Sequence, residues 1–306
     1  MKISGFTDEV SSKLDVQIGL LHDLNRHFMC PRGVNGKNIA DYTAEEFERE
    51  VKPVLVQNGI SFSSIGSPIG KVAIDDEDGY RKQLAQLKEL VKIAQSVGCK
   101  YIRIFSFFVK PDCDYEQAFP IVVGKLRGFL EVVRGSGVKL IHENEKHIFG
   151  DVPERVAALY EAIDDPDFQL CFDASNFIQC GCDPWKAYLA QRDRTVYYHM
   201  KDCTDGVEVP LGSGQGHIRD ILFDLAKRGY DGFLTLEPHT FKYALMKIPV
   251  YLLPPVGKLK TLRRVYRQID AHMGVAAFKA VGRREVYVKQ HENLVKILDD
   301  AGVKYE

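Results

Sequence analysis

Short apolar runs alternate along this chain with longer stretches in which apolar residues recur at helical spacing. The clearest helical stretch is Tyr80–Val97, where Leu84, Leu87 and Leu90 fall on one face. Eight runs have the length and the β-branched or aromatic content of strands. They are Lys2–Phe6, Arg26–Cys30, Ser61–Ile65, Tyr101–Ser106, Lys139–Glu143, Gln169–Asp173, Val196–His199 and Phe233–Glu237. Strands that alternate with helices in this way indicate a parallel sheet.

Glycines mark the joints between these elements. Gly59, Gly98 and Gly137 each stand between a helical stretch and a strand, at intervals of 39 residues, where a left-handed residue commonly ends a helix. Eight strand–helix units within about 240 residues favour a closed barrel over an open doubly wound sheet. The glycine-rich run GSGQG follows the seventh strand, which is the wrong place for a dinucleotide-binding fingerprint. The sequence therefore predicts an α/β fold, a (β/α)8 TIM barrel, over residues 1–240.

The chain continues beyond the eighth predicted strand. Residues 241–306 include the apolar, proline-bearing run IPVYLLPPVG, a basic helical stretch over Lys258–Arg267 and a final helix near Asn293–Ala301. These features predict a C-terminal helical extension, and an exposed apolar run would make part of its surface adhesive. We expect the extension to pack on the barrel or on a partner chain.

Composition excludes several functional classes. Among the 306 residues, 41 Lys and Arg nearly balance 42 Asp and Glu, for a net charge of −1, which gives no general attraction to nucleic acid or anionic membranes. No apolar run reaches the roughly 18 residues of a membrane-spanning helix, and the segment MKISGFTDEV lacks a signal-peptide core. The seven scattered cysteines are expected to be reduced thiols. We therefore expect a cytoplasmic protein without a nucleic-acid or membrane partner.

Four of the predicted strands end in residues that can bind a metal ion. Glu143, Asp173, His199 and Glu237 lie 30, 26 and 38 residues apart, which is about the length of one strand–helix unit. The carboxyl ends of the strands meet at one mouth of such a barrel, so these side chains are expected to share a centre. Three carboxylates and one imidazole suit a single divalent ion, with Mn²⁺ the first choice and Mg²⁺ or Co²⁺ the alternatives.

Each of the four residues also has a structural alternative. Glu143 could form a salt bridge at the rim, and Asp173 could cap the following helix, since aspartate is a favoured N-cap. A lone histidine on an apolar strand, such as His199, more often packs in a core. Glu237 precedes a proline, which commonly ends a strand. The recurrence of all four at matching places favours metal binding.

The sequence motifs around these residues resemble those of a known family. HENE, FDASN, HMKD and LEPH, which contain the four candidate ligands in order, are similar to the strand ends of xylose isomerase-like TIM barrels. The closest resemblance is to the sugar phosphate isomerase and epimerase branch, which includes D-tagatose 3-epimerase-like proteins. GFTDE, RGVNGKN, SSIGSPIGK and YIRIFSFF also resemble that branch. The resemblance implies that the four residues bind one divalent ion and that Glu143 and Glu237 transfer protons.

The chain departs from this family pattern at two places. Many relatives have a histidine two residues after the glutamate of the fifth strand, where this chain has Glu145 followed by Lys146. Relatives often have an acidic residue where Cys30 stands at the end of the second strand. Any additional acid or base that relatives use at these places is absent here or has changed its chemistry.

Seven further residues are candidates for substrate binding, because they lie next to the four ligands in sequence or point inward from a strand. The candidates are Arg103, Glu145, Lys146, Asn176, Lys201, Asp202 and His239. Glu145 shares its side-chain direction with Glu143, and Lys146 could pair with it. For each of the seven, a purely structural role is an alternative to substrate binding.

We consider four functions for these residues, of which the first two fit best. The first is a divalent-metal-dependent sugar or sugar phosphate isomerase or epimerase, which moves a proton next to a carbonyl through a metal-stabilised enediolate. The second is a lyase acting on 3-keto-glycosides by β-elimination, as in C-glycoside deglycosylation, within a hetero-oligomer. An abasic-site endonuclease would need several more histidine ligands, and a non-catalytic sugar-binding barrel would not need intact ligands. We expect a small carbohydrate substrate, and either a homo-oligomer or a complex with a small second subunit.

Overall fold

The computed structural model describes all 306 residues and contains a barrel of eight parallel strands. The strands are β1 Lys2–Gly5, β2 Phe28–Met29, β3 Ser61–Phe62, β4 Tyr101–Ile104, β5 Lys139–Glu143, β6 Phe168–Asp173, β7 Thr195–Met200 and β8 Phe233–Leu236. Six of them pair in the order β4–β5–β6–β7–β8–β1, and β2 pairs with β3. Hydrogen bonds from Cys30 N to Gly5 O (3.0 Å) and from Ile65 N to Tyr101 O (2.9 Å) close the ring. The predicted (β/α)8 fold is confirmed.

Twelve α-helices accompany these strands. They are α1 Leu14–Asp23, α2 Ala44–Glu50, α3 Lys52–Gln57, α4 Glu77–Ser96, α5 Tyr115–Val133, α6 Pro153–Ile163, α7 Ala174–Gln179, α8 Pro184–Gln191, α9 Ile218–Lys227, α10 Phe241–Leu252, α11 Lys258–Met273 and α12 Arg283–Asp300. Short 3₁₀ helices lie at Thr7–Glu9 and Ile39–Asp41, and hairpins pair Gly33–Val34 with Lys37–Asn38 and Asp202–Thr204 with Val207–Val209. None of the helices is both long and apolar enough to cross a membrane.

Local sequence signals explain several element boundaries. The predicted helix over Tyr80–Val97 corresponds to α4, which ends one residue earlier, at Ser96. It also begins three residues earlier, because the carboxylate of Asp76 caps it by accepting from Gly79 N (2.8 Å). Gly59 and Gly98 directly follow the C-caps of α3 and α4 and have φ angles of 65° and 67°, as expected of residues that end helices in the left-handed conformation. After α5 this position is taken by Gly135 (φ 71°), and Gly137 (φ 77°) lies two residues further on.

The barrel has an apolar outer layer and a partly polar interior. One cluster of 59 buried hydrophobic residues fills the space between the strands and the surrounding helices. Inside the barrel, the hydroxyl of Tyr197 lies 2.8 Å from Ser63 Oγ, which in turn lies 2.6 Å from Ser4 Oγ. Thr235 donates to the same Tyr197 oxygen. These paired hydroxyls let polar side chains remain buried among the strands.

The residues after Thr240 form two packing groups. Helices α10 and α11 enclose a small core of their own. Helix α12 adds Val286 to this small core and contributes Leu294, Ile297 and Leu298 to the large core of the barrel. Its His291 also accepts a hydrogen bond from Arg26 Nε (2.9 Å), close to the start of β2. The division into a barrel over 1–240 and an extension over 241–306 stays a prediction, with α12 packed as a barrel helix.

Candidate metal centre

The four predicted ligands meet at the carboxyl ends of β5 to β8. Glu143 and Asp173 are the last residues of β5 and β6, and Asp173 lies opposite His199 of β7 in the strand register. Glu237 directly follows β8. All four side chains are buried, and one ligand atom from each lies within 4.8 Å of all the others. The adjacent parallel strands therefore bring together residues that are far apart in sequence.

His199 lies between the two glutamates. Its Nδ1 is 3.0 Å from Glu143 Oε1 and 3.1 Å from Glu237 Oε2. The rings of Phe6 and Tyr197 pack edge-on against the imidazole, at centroid distances of 5.1 and 5.8 Å. This packing fixes the orientation of the ring, and a metal ligand must be held in one orientation to bind well.

The outward oxygen of each carboxylate is held by a protein donor. Glu143 Oε2 accepts from Arg103 Nη1 (3.0 Å), and Glu237 Oε1 accepts from Arg32 Nη1 (3.0 Å). Asp173 Oδ1 accepts from the backbone N–H of Asn176 (2.8 Å) at the start of α7. Asp173 is thus the N-cap of α7, the structural role considered for it above, while its other oxygen faces the cluster.

Two of the inward oxygens have no hydrogen bond. Asp173 Oδ2 and Glu237 Oε2 are both buried and make no hydrogen bond, although Oδ2 lies 3.0 Å from Lys201 Nζ and Oε2 lies 3.1 Å from His199 Nδ1. Buried polar atoms without partners are uncommon and costly. A cation bound between these oxygens would satisfy them. The buried acidic and histidine cluster therefore fits a divalent metal site, and the donor set of oxygens and one nitrogen does not fix which metal.

Opposing effects set the pKa values in the cluster. Burial alone would raise the pKa of the Glu143 carboxyl, but His199 and Arg103 outweigh it and lower the pKa to about 2. Burial is likewise outweighed at Glu237, where Lys201 and His199 hold the pKa well below its ordinary value. Both glutamates are therefore ionised at neutral pH, as metal ligands must be.

Asp173 and Lys201 shift in a related way. Burial raises the pKa of Asp173 to about 6 despite the attraction of Lys201. Burial would lower the pKa of Lys201, but Asp173 and Glu237 raise it well above its ordinary value. A divalent ion in their midst would hold all the carboxyl groups in the ionised form.

The sequence model of the family described as "Xylose isomerase-like TIM barrel" matches residues 26–269. The chain belongs to this family. The match confirms the family and the fold predicted from the sequence. A comparison with curated protein sequences finds no match.

Solved structures resemble the chain closely in fold and weakly in sequence. The structure of the IOLI protein with a zinc atom has a TM-score of 0.71 at 13% identity, over 98% of this chain and 99% of that one. A D-tagatose 3-epimerase-like protein has a TM-score of 0.66 at 14% identity, over 90% and 100%. The 3-keto-D-glucoside 4-epimerase YcjR from E. coli has a TM-score of 0.61 at 16% identity, over 78% and 92%. At such low identity these likenesses show the fold alone.

Three of the seven predicted substrate-binding residues are buried in contact with the candidate ligands of this xylose isomerase-like barrel. Arg103 binds Glu143, as described. Asn176 Nδ2 donates to Glu143 Oε1 (3.2 Å), and Lys201 Nζ lies 3.0 Å from Asp173 Oδ2. All three are buried. They therefore surround the ligands directly.

Glu145 and Lys146 lie beside the centre without pairing through their charges. Lys71 Nζ lies 3.2 Å from Glu145 Oε2, and Lys146 Nζ donates to Gln179 Oε1 (2.6 Å). Only the backbone N–H of Lys146 contacts Glu145. The ion pair suggested by sequence proximity is therefore wrong, because Lys71 from the loop after β3 takes that place.

Asp202 and His239 have contrasting surroundings. Both carboxylate oxygens of Asp202 accept from backbone N–H groups, and Gly212, Gly214 and Gly216 provide three of them. Asp202 thus organises the GSGQG loop. His239 is partly exposed, and its Nε2 lies 3.5 Å from Glu237 Oε1.

Sequence reasoning missed Arg32 and its acidic partners. Arg32 binds Asp8 through Nε (3.1 Å) and Glu9 through Nη2 (3.4 Å), in addition to Glu237. Glu9 also accepts from the backbone N–H of His239 (3.0 Å). The available signal was the charge in GFTDE and RGVNGKN, which follow β1 and β2. These segments carry part of the family resemblance, but their sequence alone does not indicate which charged residues meet.

Proposed function

We propose that this protein is a divalent-metal-dependent sugar or sugar phosphate isomerase or epimerase. The observation that carries the proposal is the buried quartet of three carboxylates and one imidazole within 4.8 Å, in which two inward oxygens make no hydrogen bond. Structural neighbours named as a D-tagatose 3-epimerase-like protein and a 3-keto-D-glucoside 4-epimerase support it. The substrate would be a small carbohydrate with a carbonyl group.

In this proposal, Glu143, Asp173, His199 and Glu237 hold the metal ion, with Mn²⁺ preferred and Mg²⁺ or Co²⁺ as alternatives. A bound divalent ion supplies a Lewis acid for the charge that develops on the substrate oxygens. A substrate would present its carbonyl and a neighbouring hydroxyl to the charge of this ion. The buried walls around the ligands exclude bulk water from the reacting carbon.

Glu143 and Glu237 are the proposed proton-transfer groups. They approach the centre from different strands, so one can remove a proton and the other can return one. Each carboxylate oxygen has two lone pairs, so an oxygen that accepts from Arg103 or Arg32 retains one for a proton. The low pKa values keep both glutamates ionised and ready to accept. General acid–base groups of this kind contribute about 10² to 10⁴-fold in rate.

The partly exposed groups nearest the centre are the proposed substrate contacts. His239, Glu145 and Lys71 line this side of the barrel mouth, with side-chain exposures of 24, 17 and 32%. Lys201 and Arg103 are buried against the ligands and would reach only those substrate oxygens that approach the ion.

The exposed apolar side chains of α10 and of the loop that follows it favour a second candidate function. Leu252 and Val256 are 71 and 68% exposed, and Leu245, Met246 and Leu253 lie near them in sequence. Such a surface suits a second subunit. A metal-dependent lyase that acts on 3-keto-glycosides within a hetero-oligomer would use the same proton abstraction and then expel the C1 substituent.

Solvent-deuterium incorporation tests the proposal. Purified protein with Mn²⁺ is incubated in D₂O with free ketoses and with 3-keto-glycosides, and products are identified by mass spectrometry. We expect deuterium at a carbon next to a carbonyl, and loss of incorporation in Glu237→Gln. The exposed Glu48→Gln serves as the matched control. If product formed without deuterium, the reaction would proceed by a hydride shift and not by proton transfer. An elimination product would favour the lyase. Full activity after exhaustive chelation would refute the metal-dependent function.

A further inference from the structure

We infer that Arg103 and Arg32 restrict Glu143 and Glu237 to one metal-binding oxygen each, and thereby make the centre select small octahedral ions over Ca²⁺. The inference rests on the proposed metal site. It assigns to the two arginines a positioning role that the family resemblance does not include.

Arg103 is anchored on the side away from its glutamate. Its Nη2 donates to the backbone carbonyls of Gly66 (3.0 Å) and Ser67 (3.2 Å), while Nη1 donates to Glu143 Oε2. The guanidinium lies 4.7 Å from the ring centroid of Phe105. A planar group fixed at several points cannot follow a rotation of the carboxylate. Rotation of Glu143 toward a two-oxygen grip would therefore break a buried charged hydrogen bond.

Arg32 is anchored in a similar way, and it binds the Glu237 oxygen that also lies 3.9 Å from Arg103 Nη1. Nε binds Asp8 (3.1 Å) and Nη2 lies 3.4 Å from Glu9, which leaves Nη1 for Glu237 Oε1 (3.0 Å). The guanidinium also lies 4.4 Å from the ring centroid of Phe6. Glu237 Oε1 is therefore held outward, and only Oε2 faces the cluster.

The third carboxylate is restricted by the backbone. Asp173 Oδ1 accepts from the N–H of Asn176, so only Oδ2 faces inward. The centre thus offers single oxygens from Glu143, Asp173 and Glu237, together with one nitrogen of His199. An octahedral ion bound by four single-atom donors would have two further positions, a number that suits the two neighbouring oxygens of a keto sugar.

Ions differ in how well they accept this arrangement. Ca²⁺ takes about 6 to 8 oxygen ligands and commonly binds carboxylates through both oxygens, whereas Mg²⁺ requires near-octahedral geometry at about 2.0–2.1 Å. Mn²⁺ shares the preference for octahedral oxygen sites. Three carboxylates that cannot become two-oxygen ligands therefore disfavour Ca²⁺ more than Mn²⁺.

The ratio of two divalent affinities isolates this effect from charge. Removal of an arginine changes the electrostatic attraction for every divalent ion by a similar amount. If the variant made the ligand side chains more mobile in general, the affinities for both ions would fall together. Only a change in the number of oxygens that each carboxylate can offer alters the ratio of Mn²⁺ to Ca²⁺ affinity.

Equilibrium dialysis of the full chain with Mn²⁺ or Ca²⁺ alone tests the inference, using Arg103→Gln and Arg32→Gln. We expect each variant to reduce the Mn²⁺ to Ca²⁺ affinity ratio about tenfold, within the range that outer contacts to metal ligands usually command. Arg192→Gln, which removes a pair with Asp224 (2.9 Å) away from the centre, should leave the ratio unchanged. Circular dichroism checks folding.

The possible results separate this inference from the proposed function. If the wild-type protein binds no Mn²⁺, the proposed metal site itself fails. If it binds Mn²⁺ and the variants retain the wild-type ratio, only the role of the arginines is overturned. Arg103 is buried, so Arg103→Gln could fail to fold, and the partly exposed Arg32 then decides the outcome alone.

Discussion

Two of the places in which the chain buries charged side chains differ in how completely their atoms are paired. Between α10 and α11, Lys247 Nζ lies 2.6 Å from Asp270 Oδ1 and donates to Ala276 O (2.8 Å). Tyr243 and Tyr251 each donate to one oxygen of Asp270, both at 2.5 Å. One cation faces one anion, and both carboxylate oxygens are satisfied.

The centre at the barrel mouth lacks this balance. Three carboxylates lie within 4.8 Å of one another, and two of their oxygens have no hydrogen bond. Buried charge therefore does not by itself identify a functional site, since the cluster between α10 and α11 is equally buried. The inward oxygens without hydrogen bonds distinguish the candidate metal centre from the cluster that joins the two helices.

Removing the charge of Asp270 should produce the largest effect on stability. Asp270→Asn leaves the fully buried Lys247 without a counter-charge, which is expected to cost about 3–5 kcal/mol in the free energy of unfolding. Urea denaturation followed by circular dichroism measures this loss. Asp205→Asn, which disrupts an exposed pair with Arg264, should cost less than about 1 kcal/mol. Equal losses in the two variants would remove the contrast between buried and exposed pairs.

Removing the charge of Asp173 should affect metal binding. Asp173→Asn deletes one of the three inward oxygens, and we expect Mn²⁺ affinity to fall at least about a hundredfold, the upper range for changes to the outer contacts of ligands. Titration calorimetry measures the affinity. Asp270→Asn should bind Mn²⁺ as the wild type does. If Asp173→Asn retained full affinity, the quartet would not be the metal site.

Metal binding should also stabilise the wild-type fold. Mn²⁺ at ten times its dissociation constant is expected to raise the free energy of unfolding by about 1.4 kcal/mol, because the ion binds the folded state alone. Thermal and urea unfolding with and without chelator measure the gain. Asp270→Asn should show the same gain from a lower starting stability, and Asp173→Asn should show none. A gain in both variants would indicate that the ion binds elsewhere.

The positions of the four candidate ligands could be predicted because strand ends and repeat length fix them. Glu143, Asp173, His199 and Glu237 each close an apolar run, and parallel strands bring such ends to one mouth. The predicted β2 and β3 were too long, because their pairing covers only two residues each. Patterns of apolar residues mark where a strand lies and do not fix the extent of its hydrogen-bonded ladder.

The contacts around the ligands could not be predicted in the same way. Arg32 binds Glu237 across 205 positions in the chain, and no local pattern indicates which of several charged residues will meet. The carboxylate of Asp202 appeared available for a substrate, yet it binds the backbone of the glycine loop that follows it. Pairing of this kind depends on tertiary geometry, which sequence spacing does not contain.

The smallest effect concerns a buried histidine in the structural part of the molecule. Burial and the neighbouring Arg26 lower the pKa of His291 to about 4, against about 6.5 in an unfolded chain. The unfolded state therefore takes up a proton first, so the stabilising contribution is complete above pH 6.5 and is lost as the pH falls toward 4. Between pH 8 and pH 6 this amounts to about 0.8 kcal/mol. Urea titrations at both pH values should show a smaller pH dependence in His291→Gln, whose amide oxygen can still accept from Arg26. If the free energy of unfolding depended on pH in His291→Gln as it does in the wild type, groups other than His291 would cause the acid sensitivity.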